Sequence, residues 1–240
     1  MKWFETWFDS KYYHILYKNR NTKEAELFLD NLIDYLGPRK KSTFLDLACG
    51  KGRHSIYLNS KGYKVLGTDL SKSSIESANK HKKTNLNFMN HDMRLPINGE
   101  KFDYILNLFT SFGYFASKNE NQLVISSIYK NTKENGTIII DFLNAKKVIS
   151  NLVKKEKKHI KDLLFNISRT IEKNVIIKNI EVFSQKKKFN FQERVHALTL
   201  NDFEILLKKE NLRIVDLFGD YHLNEFNAAT SDRLILIAKK

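Results

Sequence analysis

The chain has 240 residues, with 41 Lys and Arg against 27 Asp and Glu and a formal charge of +14. That length buries a sizeable core in one domain, and 42% hydrophobic residues with only nine glycines and two prolines exclude a disordered or fibrous chain. Cys49 is the single cysteine, so no internal disulfide forms. The N-terminal run is broken by Glu5, Asp9 and Lys11, and no apolar stretch is long enough for a bilayer, so the expectation is a soluble, cytoplasmic protein with no membrane partner.

In chain order, residues 1–36 read as helical. Trp3, Phe4, Trp7, Phe8, Tyr13, Leu16 and Tyr17 recur at spacings of three and four, and a second helix runs from a cap at Thr22 to Gly37-Pro38. Strands and helices then alternate. STFLDLA, YKVLGTDL, NLNFMNHD, FDYILNLF and NGTIIIDFL are strands, RHSIYLNSKG and SKSSIESANKHK are helices, and another helix runs from about Asn119 to Lys133. After Leu143 the rhythm breaks. A helical NAKKVISNLVKKEKK leads into three β-rich segments, LFNISRTIEK, NVIIKNIEVFSQ and KFNFQERVHALT, separated by polar turns. LNDFEILLKKENL, IVDLFGDY and RLILIAKK then restore helix, strand and strand.

The expected class is therefore α/β: a doubly wound, mostly parallel seven-stranded sheet with an inserted small antiparallel β-sheet. The expected organisation is a single domain over 1–240. It has a helical cover at 1–37, a core at 42–143, an inserted antiparallel lid at about 145–198, and a completing segment at 199–240. The dense basic runs, Lys154 to Lys158 and Lys186 to Lys188, hold no arginine fork or aromatic platform and read as solvated faces. Nucleic acid is thus a partner the charge allows but the pattern does not favour.

In open α/β sheets ligands bind off the carboxyl ends of the strands. The first strand ends in Asp46, followed by Ala48-Cys49-Gly50-Lys51-Gly52, a turn where backbone can come close to a ligand, and by a helix opening at Arg53. The second ends in Asp69 and Leu70, 23 positions after Asp46, with a carboxylate placed for a ribose diol. The third ends in His91-Asp92-Met93, an acid for an adenine amine and a thioether to pack on the ring. The fourth ends in Asn107-Leu108-Phe109. Together these describe an adenosine site. A dinucleotide fingerprint needs a third glycine where this chain has Ser55, and Asp46 would repel a pyrophosphate. A carboxylate there suits an amino acid's ammonium group, and nucleoside plus amino acid describes S-adenosylmethionine.

With those residues in view, the chain resembles the Rossmann-like (class I) S-adenosylmethionine-dependent methyltransferases, closely over Ser42 to Leu143 and loosely beyond. LDLACGKG looks like that family's cofactor loop, GTDLS its ribose acid and HDM its adenine clamp. The resemblance implies Asp46, Gly50 and Gly52 around the methionine part, Asp69 on the ribose, and Asp92 with Met93 at adenine. It also implies a covering N-terminal helix, from which Tyr12, Tyr13, Tyr17 and Arg20 could seal the pocket and bind the cofactor carboxylate. The cofactor would leave as S-adenosylhomocysteine, and no metal is expected.

Transfer from a sulfonium is an in-line displacement governed by alignment and exclusion of water. Cys49 sits inside the cofactor turn, which excludes carbon-5 pyrimidine chemistry. NLFTSFGYF lacks the proline run of adenine-amine enzymes, and Asn107 stands where a metal-assisted type has an acid. A small-molecule acceptor with an N or O nucleophile remains. His222 is the candidate base, with Asp220 and Glu225 nearby. Tyr13, Phe112, Tyr114, Phe115, Arg194, His196 and Tyr221 are candidates to line the acceptor pocket. The alternatives are an RNA or protein methyltransferase using the basic surface, and a non-catalytic cofactor-binding module.

Overall fold

A computed structural model describes residues 3–18, 22–115, 117–185 and 187–240. Five strands form the centre and one side of the main sheet: β1 (Thr43–Leu47), β2 (Lys64–Asp69), β3 (Leu86–Asn90), β4 (Phe102–Asn107) and β5 (Thr132–Leu143). Two late strands, β10 (Arg213–Phe218) and β11 (Arg233–Lys239), complete seven in the order β10-β11-β5-β4-β1-β2-β3. The five early strands pair in parallel, and β11 enters antiparallel between β5 and β10.

Period-two alternation assigns the strand residues to two apolar layers. Leu45, Leu47, Ile138, Ile140 and Phe142 pack with α6 (Lys118–Asn131) and α8 (Leu200–Lys208). Phe44, Val65 and Ile139 face α3 (Thr22–Leu36), α4 (Arg53–Ser60) and α5 (Lys72–Asn79). The start signals are used as read. The Ser71 hydroxyl accepts from the Ser74 amide at 3.1 Å to cap α5, and Thr199 and Asp202 form a capping box on α8.

The insertion differs from the sequence reading in one element. The expected helix through KKEKK stops early, as α7 (Ala145–Ser150), and Lys155–Ile160 becomes strand β6. It pairs with β7 (Leu163–Glu172), β8 (Val175–Ser184) and β9 (Lys187–His196) in an antiparallel sheet ordered β6-β7-β8-β9. The lysines mislead because helix propensity favours them, yet an edge strand also carries charge, which blocks further pairing. Glu156 in this strand accepts from Arg169 at 2.6 Å and pairs with Lys158 at 2.9 Å.

The first helices, α1 (Trp3–Phe8) and α2 (Lys11–Leu16), pack on this second sheet. Trp7 and Tyr12 are buried against Phe165, Ile167, Ile180 and Val182. Across that interface Glu193 of β9 accepts from Trp7 Nε1 at 2.7 Å and from the Tyr17 hydroxyl at 2.5 Å. Lys178 of β8, opposite Glu193 in register, donates to the Tyr17 oxygen. Cover and inserted sheet therefore form one layered unit. His196, at the end of β9, ties it to the loop after β4 by donating its amide to the Gly113 carbonyl at 2.8 Å.

Candidate active site

The turn after β1 alternates left-handed backbone at Ala48 (φ 59°), Gly50 (φ 58°) and Gly52 (φ 83°). Gly52 opens α4, and a Cβ there would lie 2.6 Å from the Phe88 ring. The close helix–strand packing sought at Ser55 is achieved by the strand instead. A Cβ on Gly67 of β2 would lie 2.7 Å from Phe88, 2.8 Å from Ser55 Oγ and 2.9 Å from Cys49 Sγ. A bare strand residue lets the turn and α4 settle onto the sheet.

Asp46 lies in that compact layer. It shares the face of Phe44, so its carboxylate turns under α4 and accepts from Ser55 Oγ at 2.6 Å. It is 1% exposed, and burial pushes its pKa up to about 7. The sequence reading aimed this carboxylate at the ligand; the fold spends it beneath the turn. Asp69, at the end of β2, does reach the wall of a cavity. Its Oδ2 accepts from the Gly50 amide at 2.7 Å and its Oδ1 from the Ser71 amide at 2.8 Å. Burial raises its pKa despite those donors.

The cavity measures about 340 Å³ and lies off the carboxyl ends of β1, β2 and β4 and the turn after β3. Ala48, Gly50, Arg53, Asp69 and Leu70 line its floor, with Asp92 and Met93 at one end. The opposite walls are aromatic: Phe4, Phe8, Tyr13 and Tyr17 from the cover, and Phe109, Tyr114 and Phe115 from the loop after β4. Phe8 meets Tyr114 at 5.4 Å between centroids, and Phe4 meets Phe115 edge-on at 6.2 Å. Asp9, between α1 and α2, accepts from the hydroxyls of Ser71 and Ser73, the latter at 2.7 Å. The cover is thus pinned beside Asp69, whose Oδ1 holds the Ser71 amide.

The loop after β4 is held in a costly shape. Phe109 (φ 56°) and Thr110 (φ 61°) are consecutive left-handed residues other than glycine. Asp141 of β5, fully buried, compensates by accepting from the Phe109 amide at 2.8 Å. Arg233 donates to Asp141 at 2.7 Å and to Thr110 Oγ1 at 2.9 Å. Phe109 is stacked on His54 at 5.0 Å and lies under the Arg53 guanidinium at 4.8 Å. Burial, with Arg53 beside it, pushes His54 down to about 3, so this imidazole is neutral. Burial and then Lys51 also lower the pKa of His14, on the cover side of the cavity.

Several sequence candidates are elsewhere. His222 is exposed on the turn after β10, its amide donating to Asp220 at 2.9 Å, and it does not line the cavity. Asp220 serves that turn through Asn224 as well, and Glu225 is an exposed bridge partner of Phe218. Tyr221 packs at a tilt against Phe28 at 4.6 Å and Phe109 at 5.0 Å between centroids, with its hydroxyl on Asp141 at 3.3 Å, so it backs the wall rather than forming it. Phe112 is fully buried among the core residues, and Tyr12 packs on Phe189 at 5.0 Å. Arg194 donates to Gln192, and His196 Nε2 contacts the Phe115 carbonyl at 2.9 Å. Asn107 is buried, with Nδ2 3.8 Å from Met93 Sδ and its Oδ1 without a partner among the described residues. Gly52 shapes the turn from behind, and Arg20 lies outside the described residues. Phe4, Phe8, His14 and His54 line the wall with no site motif to mark them; the aromatic spacing of the first helix is the one signal for the first two. Among the described residues no cluster could hold a metal ion, and no helix is long and apolar enough to cross a membrane.

A Gly-turn under a helix start, an acid at each of two strand ends and a strand order with one late antiparallel insertion define the class I, Rossmann-like methyltransferase fold. The methyltransferase-domain family matches residues 38–215, and the chain belongs to that family. It is 32% identical over 113 residues to the putative methyltransferase YqeM of Bacillus subtilis (strain 168), covering 45% of this chain and 45% of that protein. It is 25% identical over 247 residues to the glycine/sarcosine/dimethylglycine N-methyltransferase of Actinopolyspora halophila, covering 93% of this chain and 40% of that protein. The chain thus spans less than half the length of these two relatives. In fold it is similar to a solved S-adenosylmethionine-dependent methyltransferase from Clostridium acetobutylicum ATCC 824, with a TM-score of 0.81, 21% identity and 95% of each chain covered.

Proposed function

We propose that this chain transfers a methyl group from S-adenosylmethionine to a small-molecule acceptor with an N or O nucleophile. The observation that carries the reading is the covered cavity of about 340 Å³, at the low end of the range for small-molecule sites. The cofactor supplies an electrophilic methyl group. Asp69 accepts from the ribose diol with the acceptor positions its two backbone donors leave, since a carboxylate has about four. Asp92 accepts from the adenine amine, and Met93 packs on the ring. Tyr17 and Arg53 border the methionine end. The aromatic walls exclude water and align the acceptor, which supplies much of the rate in such a displacement. An amine acceptor loses its proton before attack, so no wall residue needs to act as base, and neutral His54 stays neutral.

The basic surface favours a macromolecular acceptor less. Lys158 and Lys188 are ion-paired with Glu156 and Glu181 on the inserted sheet, and a polymer would have to displace the cover. Methyl-labelled cofactor incubated with pooled small metabolites, and separately with RNA and protein, tests the reading. Label in a small product supports it. Label only in RNA or protein, or in nothing, refutes it.

A further inference from the structure

The residue after the expected adenine clamp makes more contacts than charge neutralisation requires. Arg94 Nε donates to both Asp92 oxygens, at 3.0 and 3.1 Å, and Nη2 donates to Oδ2 at 2.5 Å. Its own amide donates to Asp92 Oδ1 at 3.0 Å. On its other edge Nη1 meets Glu120 Oε1 at 2.5 Å, and Glu120 belongs to the capping box of α6. The guanidinium lies 4.9 Å from the centroid of Phe115, a cavity wall that touches Phe4 of the cover. These contacts, with Asp92, outweigh partial burial and raise the arginine's pKa.

The terminal torsion of an aspartate is broad, so a carboxylate alone has a soft plane. A planar fork braced on its far side removes that freedom before any ligand arrives, which a lysine's point charge cannot do. We propose that Arg94 is a positioning residue that fixes the plane of the Asp92 carboxylate. It thereby sets the preference for a 6-amino purine and links that carboxylate, through Phe115 and Phe4, to the cover. The inference rests on the S-adenosylmethionine reading of the cavity.

The test uses S-adenosylhomocysteine and its S-inosyl counterpart, in which a carbonyl oxygen replaces the amine and would face the carboxylate. Both are titrated calorimetrically into the native chain, Arg94→Lys and Glu120→Gln. The native chain should prefer the adenosyl ligand by about tenfold or more, the worth of one charge-assisted hydrogen bond. In Arg94→Lys the preference should fall to about threefold or less, as that bond loses its geometry. Glu120→Gln keeps the fork but loosens its brace, and should give an intermediate preference even if Arg94→Lys fails to fold. A preference unchanged in both variants overturns the proposal. Equal weakening of both ligands with the preference intact also overturns it, because that is what a purely structural ion pair would give. A native chain that binds neither ligand overturns the cofactor reading itself, and is distinguishable from either result.

Discussion

Asp69→Asn is the sharpest probe of the cofactor reading, because the structure states what the carboxylate already does. Each oxygen holds one backbone amide, Gly50 at 2.7 Å and Ser71 at 2.8 Å, and the carboxylate also lies on the cavity wall. An amide side chain keeps one oxygen and turns an NH2 toward a backbone donor, so one turn contact and the paired diol contacts are weakened together. Two charge-assisted hydrogen bonds at roughly 1–1.5 kcal/mol net each give about 2–3 kcal/mol, or roughly 30–150-fold in Kd. Calorimetry with S-adenosylhomocysteine and its 2′-deoxy analogue separates turn from ribose. The native chain should lose affinity for the deoxy ligand, whereas the variant, having lost that contact, should barely distinguish the two. Binding by Asp69→Asn within about threefold of native, or an undiminished deoxy penalty, would refute the assignment.

Other perturbations follow from the same contacts. Asp46 titrates near 7 when folded and near 4 when unfolded. Below both values its contribution is fixed; as pH rises between them the unfolded chain releases the proton first, so folding is progressively destabilised up to about 7. In Asp46→Asn urea midpoints should lack that part of the fall between pH 4.5 and 7.5, and an identical slope in both chains would count against it. Arg233→Met strands the buried Asp141 and should cost about 3–5 kcal/mol in urea unfolding. Adding Asp141→Asn should recover part of that, and a fully additive loss would contradict a shared network. Glu193→Gln removes the carboxylate charge opposite Lys178 under the cover and should cost about 1–3 kcal/mol. It should also accelerate cofactor release in stopped-flow; unchanged release would mean the cover is not held there.

The strand ends were legible because the signals are local. Gly50 and Gly52 follow β1 within a few residues, the strand-final acid Asp69 is followed two positions on by the N-cap Ser71, and Gly50, Asp69 and Ser71 each line or border the cavity. Side-chain direction was harder. Asp46 and Asp69 both end strands, but the alternation of β1 turns the first toward α4, and only packing around Gly67 shows that it is consumed there. His222 follows a strand that ends at the sheet's carboxyl edge, yet it lies exposed on its turn while Tyr221 faces inward. The left-handed pair Phe109-Thr110 has no sequence signature at all, since it is imposed by Asp141 and Arg233 from distant strands. The lysines of the edge strand β6 suit helix or strand, and pairing with β7 decides between them.

The Trp7–Glu193 contact joins residues 186 positions apart. A ribosome therefore delivers α1 and α2 long before their docking surface is complete, since β7, β8 and finally β9 all emerge later. Contacts of such high sequence separation form late, so the binding chamber is roofed only after most of the chain has been made. A chain cut short ahead of that strand would lack both the Glu193 anchor of the cover and the later elements α8, β10 and β11, whose Phe203, Leu207, Leu234 and Leu236 belong to the core of the main sheet.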